Sequence, residues 1–228
     1  MCSQFEIKMP LEKLMKTTQF LFDEVDISIQ WDLHVYPYMK SPVIAHFDTT
    51  NKLQLMSYSL VPSWSKVPKP KFATYNARLD RPNKETIEYI FNAPTWRTPF
   101  KNHHCIVPIT SFFESCRQGT HMGNIVKFSA DSPILFVAGL WDKWVNPITN
   151  DIIYSFATIT DNPCEFILNV GHDRQPVFLN DDNAMKWLNN QFNSVQMAYS
   201  FLKNHQEPIN YNVENFKKLK GYQDDLFS

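Results

Sequence analysis

The spacing of apolar positions changes along the chain. Pro10 is followed by Leu11, Leu14, Met15 and Thr18, a three-to-four-residue rhythm that predicts a helix with proline in its first turn. Residues 33–36 and 43–47 read as strands. Asp48-Thr49-Thr50-Asn51 supplies a turn, and residues 53–60 return with apolar alternation, so a hairpin is expected there. Pro62, Pro68 and Pro70 exclude a central strand across residues 61–71 and predict a loop. Thr86, Ile87, Ile90 and Phe91 mark a short helix. Residues 105–109, 125–128, 134–137 and 152–159 are further strand candidates, and two helices are expected near 184–188 and 195–202. Strands fill the middle and helices lie toward the ends. With no repeat, low-complexity tract or long linker, this pattern predicts one α+β domain over residues 2–228.

Composition narrows the function classes. At 43% hydrophobic and 14% aromatic, the 228 residues can bury a full core. Only 5 glycines argue against a glycine-rich nucleotide-binding chain, and a net charge of −1 leaves polyanion binding to local patches. No apolar run approaches the roughly 20 residues of a membrane span. Residues 2–14 alternate charged with apolar positions and contain no signal-peptide core. The expectation is a soluble cytoplasmic protein with no membrane partner. Cys2, Cys105, Cys116 and Cys164 show no metal-finger spacing, and a reducing compartment argues against disulfides. Cys105, inside Cys105-Ile106-Val107, reads as a buried inert thiol. His103-His104 would point to opposite faces of a strand, so neither a metal nor a cofactor is expected.

Cys2 carries the most distinctive chemistry. Methionine is usually trimmed before a small residue, so the expected mature start is Cys2. Its α-amine and thiol have ordinary pKa values of about 7.7–8.0 and about 8.5. Together they can capture an aldehyde: the amine forms an imine and the thiol closes a five-membered thiazolidine. A cysteine at position two can equally be accidental. Three other segments allow two readings each. Tyr75-Asn76-Ala77-Arg78-Leu79-Asp80 offers an amide and a phosphate-matching guanidinium, or a turn asparagine with a solvated arginine. Glu114, after Phe112-Phe113 at a strand end, is a general acid/base if desolvated, or an exposed strand-end carboxylate. His172, in Gly171-His172-Asp173-Arg174, is a proton shuttle on a loop entering a strand, or an ordinary histidine. Residues 63–81 are locally basic through Lys66, Lys69, Lys71, Arg78 and Arg81 against Asp80. Trp64, Phe72 and Tyr75 are interleaved, a pattern that suits a single-stranded nucleic acid or a solvated loop over core aromatics.

Taken in order, the segments resemble one family. Cys2 is followed by residues 58–66 (Tyr-Ser-Leu-Val-Pro-Ser-Trp-Ser-Lys) and by Tyr75-Asn76-Ala77-Arg78. Cys105-Ile106-Val107-Pro108 with Phe112-Phe113-Glu114 comes next. Ala138-Gly139-Leu140-Trp141-Asp142 and His172-Asp173-Arg174-Gln175-Pro176-Val177 complete the series. From Cys2 to about Leu188 the chain resembles the SRAP family, the SOS-response-associated peptidases understood as abasic-site processing proteins. The resemblance implies a strongly bent or barrel-like mixed sheet with flanking helices. It implies that Cys2 forms a thiazolidine with an abasic site in single-stranded DNA and that the chain removes its own initiator residue; a monomer is the expected state. Asn76 would position Cys2 and the deoxyribose. Glu114 would serve imine formation, self-processing and crosslink reversal, and His172 would assist sugar ring opening. Arg78 would grip a phosphate and Trp64 would line the groove near the lesion; Lys66, Lys69 and Lys71 of the basic loop, and Arg174, are further expected DNA contacts. The chain departs from the family at Ser3-Gln4 (usually Gly-Arg), Asp80 (usually Glu), Ser115 (usually Trp) and Gln175 (usually Met), positions that bear on DNA affinity more than on the chemistry.

Two other classes compete. A cysteine hydrolase would use Cys2 with His172 or Glu114 on a separate peptide or amide. A non-catalytic module would bind single-stranded nucleic acid through the 64–81 loop without any adduct.

Overall fold

The computed structural model describes residues 4–27, 34–80, 90 and 92–220. Cys2, Arg81 and the helix expected over 86–91, Ile90 apart, therefore lie outside the described residues, as does Leu33 of the first expected strand.

A closed ring of five strands forms the centre. Strands β4 (Lys40–Phe47) and β5 (Thr50–Tyr58) make the expected hairpin. β4 pairs with β7 (His104–Ile109), and β7 pairs with β10 (Leu135–Val145). β10 pairs with β11 (Ile152–Asp161), and β11 runs parallel to β5, which closes the ring. Short strands extend this nine-stranded sheet: β2 (Glu24–Asp26), β6 (Asn76–Arg78), β12 (Gln175–Pro176) and β13 (Phe178–Leu179). The mixed barrel-like sheet inferred from the resemblance is thus present.

A five-stranded sheet packs against it, in the order β14 (Tyr211–Lys218), β9 (Asn124–Ala130), β8 (Ser111–Cys116), β1 (Gln4–Glu6) and β3 (His34–Val35). Phe5 of β1 meets the rings of Tyr58 and Phe156 at 5.1 Å and 6.4 Å, so the two sheets share one core. Buried aromatic area of this kind is the largest single source of stabilisation in such a core.

The helices form where the apolar rhythm predicts them. α1 (Leu11–Thr18) follows Pro10 and buries Leu14 and Thr18. α2 (Arg97–Asn102) and α3 (Glu165–Val170) are short. In α4 (Asp181–Leu188) the Asn180 side chain accepts the Asn183 N–H at 3.0 Å, and Asp181 and Asp182 favour the positive end of the helix. α5 (Val195–Asn204) is capped by Ser194, which accepts the Met197 N–H at 3.2 Å. Among the described residues, no helix is long and apolar enough to cross a membrane.

Several elements differ from the sequence expectation. The strand expected at 134–137 continues to Val145, because Gly139 and Leu140 pair with both β7 and β11 and residues 141–145 go on pairing with β11. Asn76–Arg78 forms a strand, not a turn, held by its parallel partner β11. Strands β1, β8 and β14 and helices α2 and α3 carry no strong local period.

Candidate functional site

Glu114 is not at a strand end. It sits mid-strand in β8, with antiparallel neighbours β9 on one side and β1 on the other. In a strand, residues two apart share a face. Phe112, Glu114 and Cys116 therefore point the same way, and all three are buried, Glu114 at 1% exposure. Burial pushes the Glu114 carboxyl up to about 7, with Asp173 adding to the rise and Arg174 opposing it.

His172 arrives from a different part of the chain. Helix α3 ends at Gly171, whose φ of +124° is a left-handed geometry that side chains rarely adopt. A Cβ there would lie 1.8 Å from the Gln118 carbonyl oxygen. The His172 N–H closes on the Ile167 carbonyl at 3.1 Å, which turns the imidazole inward. Its Nε2 lies 3.0 Å from Glu114 Oε2, and its Nδ1 is 3.3 Å from the Ser115 carbonyl. Burial is the main cause that lowers His172 to about 4.

Burial raises Glu114 and lowers His172, so both directions favour a carboxylic acid beside a neutral imidazole over an ion pair. The Ser115 carbonyl can only accept, so Nδ1 donates to it and Nε2 is left as the acceptor. The arrangement can hold one proton at low desolvation cost and deliver it to a reacting atom.

A second row of polar groups runs along β6 and β11. The register sets Asn76 beside Thr158 and Arg78 beside Thr160, so all four side chains share one face. Asn76 Oδ1 accepts the Thr158 hydroxyl at 2.7 Å. Asn76 Nδ2, Arg78 Nε and Thr160 Oγ1 are buried with no hydrogen-bond partner among the described residues. Buried donors left in this state are costly and suit a ligand that brings acceptors. Burial, then the like charge of Arg174, push the Arg78 guanidinium below its ordinary value. Arg174 and Asp173 act electrostatically on Glu114, His172 and Arg78 alike, which places all of these in one neighbourhood. The sequence reading did not single out Thr158 and Thr160. Their alternation in Thr158-Ile159-Thr160, polar on one face of a buried strand, was the available signal.

The lysine loop is exposed at its tip and clamped at its base. The Ser63 N–H donates to Asp142 Oδ2 at 2.8 Å, and Trp144 Nε1 donates to the Ser65 carbonyl at 2.7 Å. Trp64 is 54% exposed, with Nε1 donating to the Pro94 carbonyl at 3.0 Å. Lys66, Lys69 and Lys71 are exposed, and Lys69 Nζ lies 5.2 Å from the Tyr38 ring.

The other candidate groups take structural places. His104 is buried, with its ring stacked 3.6 Å from Trp187, while His103 stacks on Trp141 at 4.7 Å. Cys105 is buried, and burial raises its thiol well above the ordinary value. Among the described residues no group of three or more His, Cys, Asp or Glu is arranged to hold a metal ion.

Comparison with known proteins matches the chain to one family. The model described as SOS response associated peptidase (SRAP) matches residues 1–216. Abasic site processing protein YoqW of Bacillus subtilis (strain 168) is 29% identical over 192 residues, covering 83% of this chain and 80% of that protein. YoaM of the same organism, also named an abasic site processing protein, is 29% identical over 205 residues, covering 89% and 85%. The HMCES protein of Xenopus tropicalis, named likewise, is 29% identical over 178 residues, covering 67% of this chain and 52% of its own length. A solved structure from Bacteroides thetaiotaomicron has a TM-score of 0.70 at 23% identity, covering 88% of this chain and 86% of its own. One from Bordetella bronchiseptica has a TM-score of 0.71 at 19% identity, covering 95% and 100%, and both share the fold. With its matched model spanning nearly all of the residues from β1 to β14, the chain belongs to the SOS response associated peptidase (SRAP) family.

Proposed function

We propose that this protein is an abasic-site processing enzyme that captures the site's ring-opened aldehyde in single-stranded DNA through Cys2. The observation that carries the reading is the Glu114–His172 pair, a proton held near neutrality beside the start of β1. Gln4 pairs with Phe113, so Glu114 is the next residue of β8 toward the chain start. Two peptide units limit the Cys2 α-carbon to within roughly 7.6 Å of that of Gln4. The curated relatives are themselves named abasic site processing proteins.

The chemistry then follows from the groups available. Removal of Met1 frees the Cys2 α-amine, and the Glu114 carboxyl serves that self-processing as well. The amine adds to the aldehyde carbon of the opened sugar. The Glu114 acid protonates the carbinolamine hydroxyl, water leaves, and an imine forms. The imine keeps its N–H as an iminium while Glu114 is left as the carboxylate. The Cys2 thiol gives its proton to that carboxylate, the sulfur adds to the iminium carbon, and Glu114 is again the acid needed for reversal. One water is lost and a thiazolidine is gained. Neutral His172 accepts a proton at Nε2 during sugar ring opening. Asn76 Nδ2 orients the sugar. Arg78 and Arg174 hold phosphate, and Trp64, Lys66, Lys69 and Lys71 guide the strand.

The test is a denaturing gel of protein mixed with an abasic oligonucleotide, beside intact DNA and Cys2→Ala. Mass spectrometry first establishes that Met1 is absent. A shifted band that needs both Cys2 and the abasic site is expected. No band from protein starting at Cys2 sinks the reading, and turnover of a peptide substrate instead would favour a cysteine hydrolase.

A further inference from the structure

Helix α5 and the residues just after it reach back to the row that carries Arg78. Lys203 Nζ donates to Asp80 Oδ2 at 2.8 Å and to both oxygens of Asp161 at 2.9 Å and 2.8 Å. The Tyr199 hydroxyl donates to Asp80 Oδ1 at 2.5 Å, and Gln206 Nε2 to Asp161 Oδ2 at 2.6 Å. Asp80 stands two residues beyond Arg78 on its own segment, and Asp161 directly follows Thr160, the strand partner of Arg78. Both carboxylates act electrostatically on Arg78. Yet among the described residues their hydrogen bonds go to α5 and Gln206, and Arg78 Nε is left buried without a partner.

We infer that Lys203 is a positioning residue, which occupies Asp80 and Asp161 so that the Arg78 guanidinium stays available for a DNA phosphate; this rests on the functional reading above. A carboxylate and a phosphate compete for the same planar fork of donors. Lys203 also balances the local charge, because without it the carboxylates of Asp80, Asp161 and Asp173 outnumber Arg78 and Arg174. An anion approaching that cluster would meet net repulsion, and the freed carboxylates would turn to Arg78.

The test measures binding of an intact fluorescent single-stranded oligonucleotide by anisotropy, and capture of an abasic oligonucleotide at saturating DNA. Lys203→Met should weaken binding about tenfold and change the saturated capture rate less than threefold. Lys203→Arg should bind as wild type. Adding Asp80→Asn and Asp161→Asn to Lys203→Met should restore binding to within threefold, whereas loss of a mere packing contact would only worsen it. Wild-type affinity in Lys203→Met, or no recovery in the triple variant, overturns the inference. Should Lys203→Met melt below the assay temperature, Asp80→Asn/Asp161→Asn with Lys203 intact decides the matter. It should bind at least as tightly as wild type, and weaker binding overturns the inference. Failure of the wild-type protein to bind or capture DNA is a separate result and overturns the functional reading itself.

Discussion

The Glu114–His172 pair and the 63–71 loop carry the same kind of residue, ionisable and polar, yet the fold treats them oppositely. The pair is enclosed between β8, β1 and the turn after α3, and desolvation moves both groups far from their ordinary values. The loop is clamped at Ser63 and Ser65, with its lysines and Trp64 left in solvent. Desolvation makes a group chemically selective but ties it to one geometry. Exposure keeps charge and adaptability, at the cost of energy per contact. The proposed function accordingly assigns chemistry to the first region and strand guidance, which has to tolerate any base, to the second.

Substitutions can break that contrast. Glu114→Gln keeps the shape but removes the titrating proton, so capture by protein starting at Cys2 should slow about a thousandfold, in the range of a lost general acid. Reversal should slow in parallel, and unchanged rates on denaturing gels would remove Glu114 from the chemistry. Gly171→Ala should cost more than about 3 kcal/mol by thermal melting, because it sets a Cβ against the Gln118 carbonyl at a left-handed φ. Retention of full stability and capture by that variant would show that the turn is not what aims His172.

The buried pair also predicts a pH signature. Glu114 is raised from 4.5 to about 7 on folding, so its contribution to stability is complete below about pH 4.5 and is lost as pH rises through 7. The expected loss is on the order of 3 kcal/mol for a fully buried group. Melting scans from pH 5 to 8 should show wild type falling relative to Glu114→Gln, and parallel curves would contradict the burial argument. His172 is lowered to about 4, so its contribution is present above 6.5 and is lost as pH falls through 4. In the exposed loop, Lys66→Ala, Lys69→Ala and Lys71→Ala should each weaken single-stranded DNA binding only about two- to threefold. Each should reduce the salt slope by about 0.7. A tenfold loss from any one of them would mean that the loop is more structured on DNA than its exposure implies.

Much of this could be read from residue order. The α1 rhythm, the 43–60 hairpin, the proline-broken loop and both late helices were visible because they depend on local period and turn chemistry. The strand containing Glu114 was legible only in part. Phe112, Glu114 and Cys116 do alternate, but Ser111, Glu114 and Ser115 make the run look polar. The edge strand β14 was missed because Asn212, Glu214 and Asn215 are poor strand formers, and its pairing with β9 shifts register between Asn215 and Lys217.

The sequence by itself determined the inventory: an early cysteine, an acid, a histidine, an amide and a basic aromatic loop, in the order of one family. Only the tertiary structure decided their electrostatic states. Glu114 and His172 are 58 positions apart in number yet 3.0 Å apart in space, and Lys203 reaches Asp80 across 123 positions. Desolvation and charge compensation depend on what packs around a group, and no local pattern of residues encodes that neighbourhood.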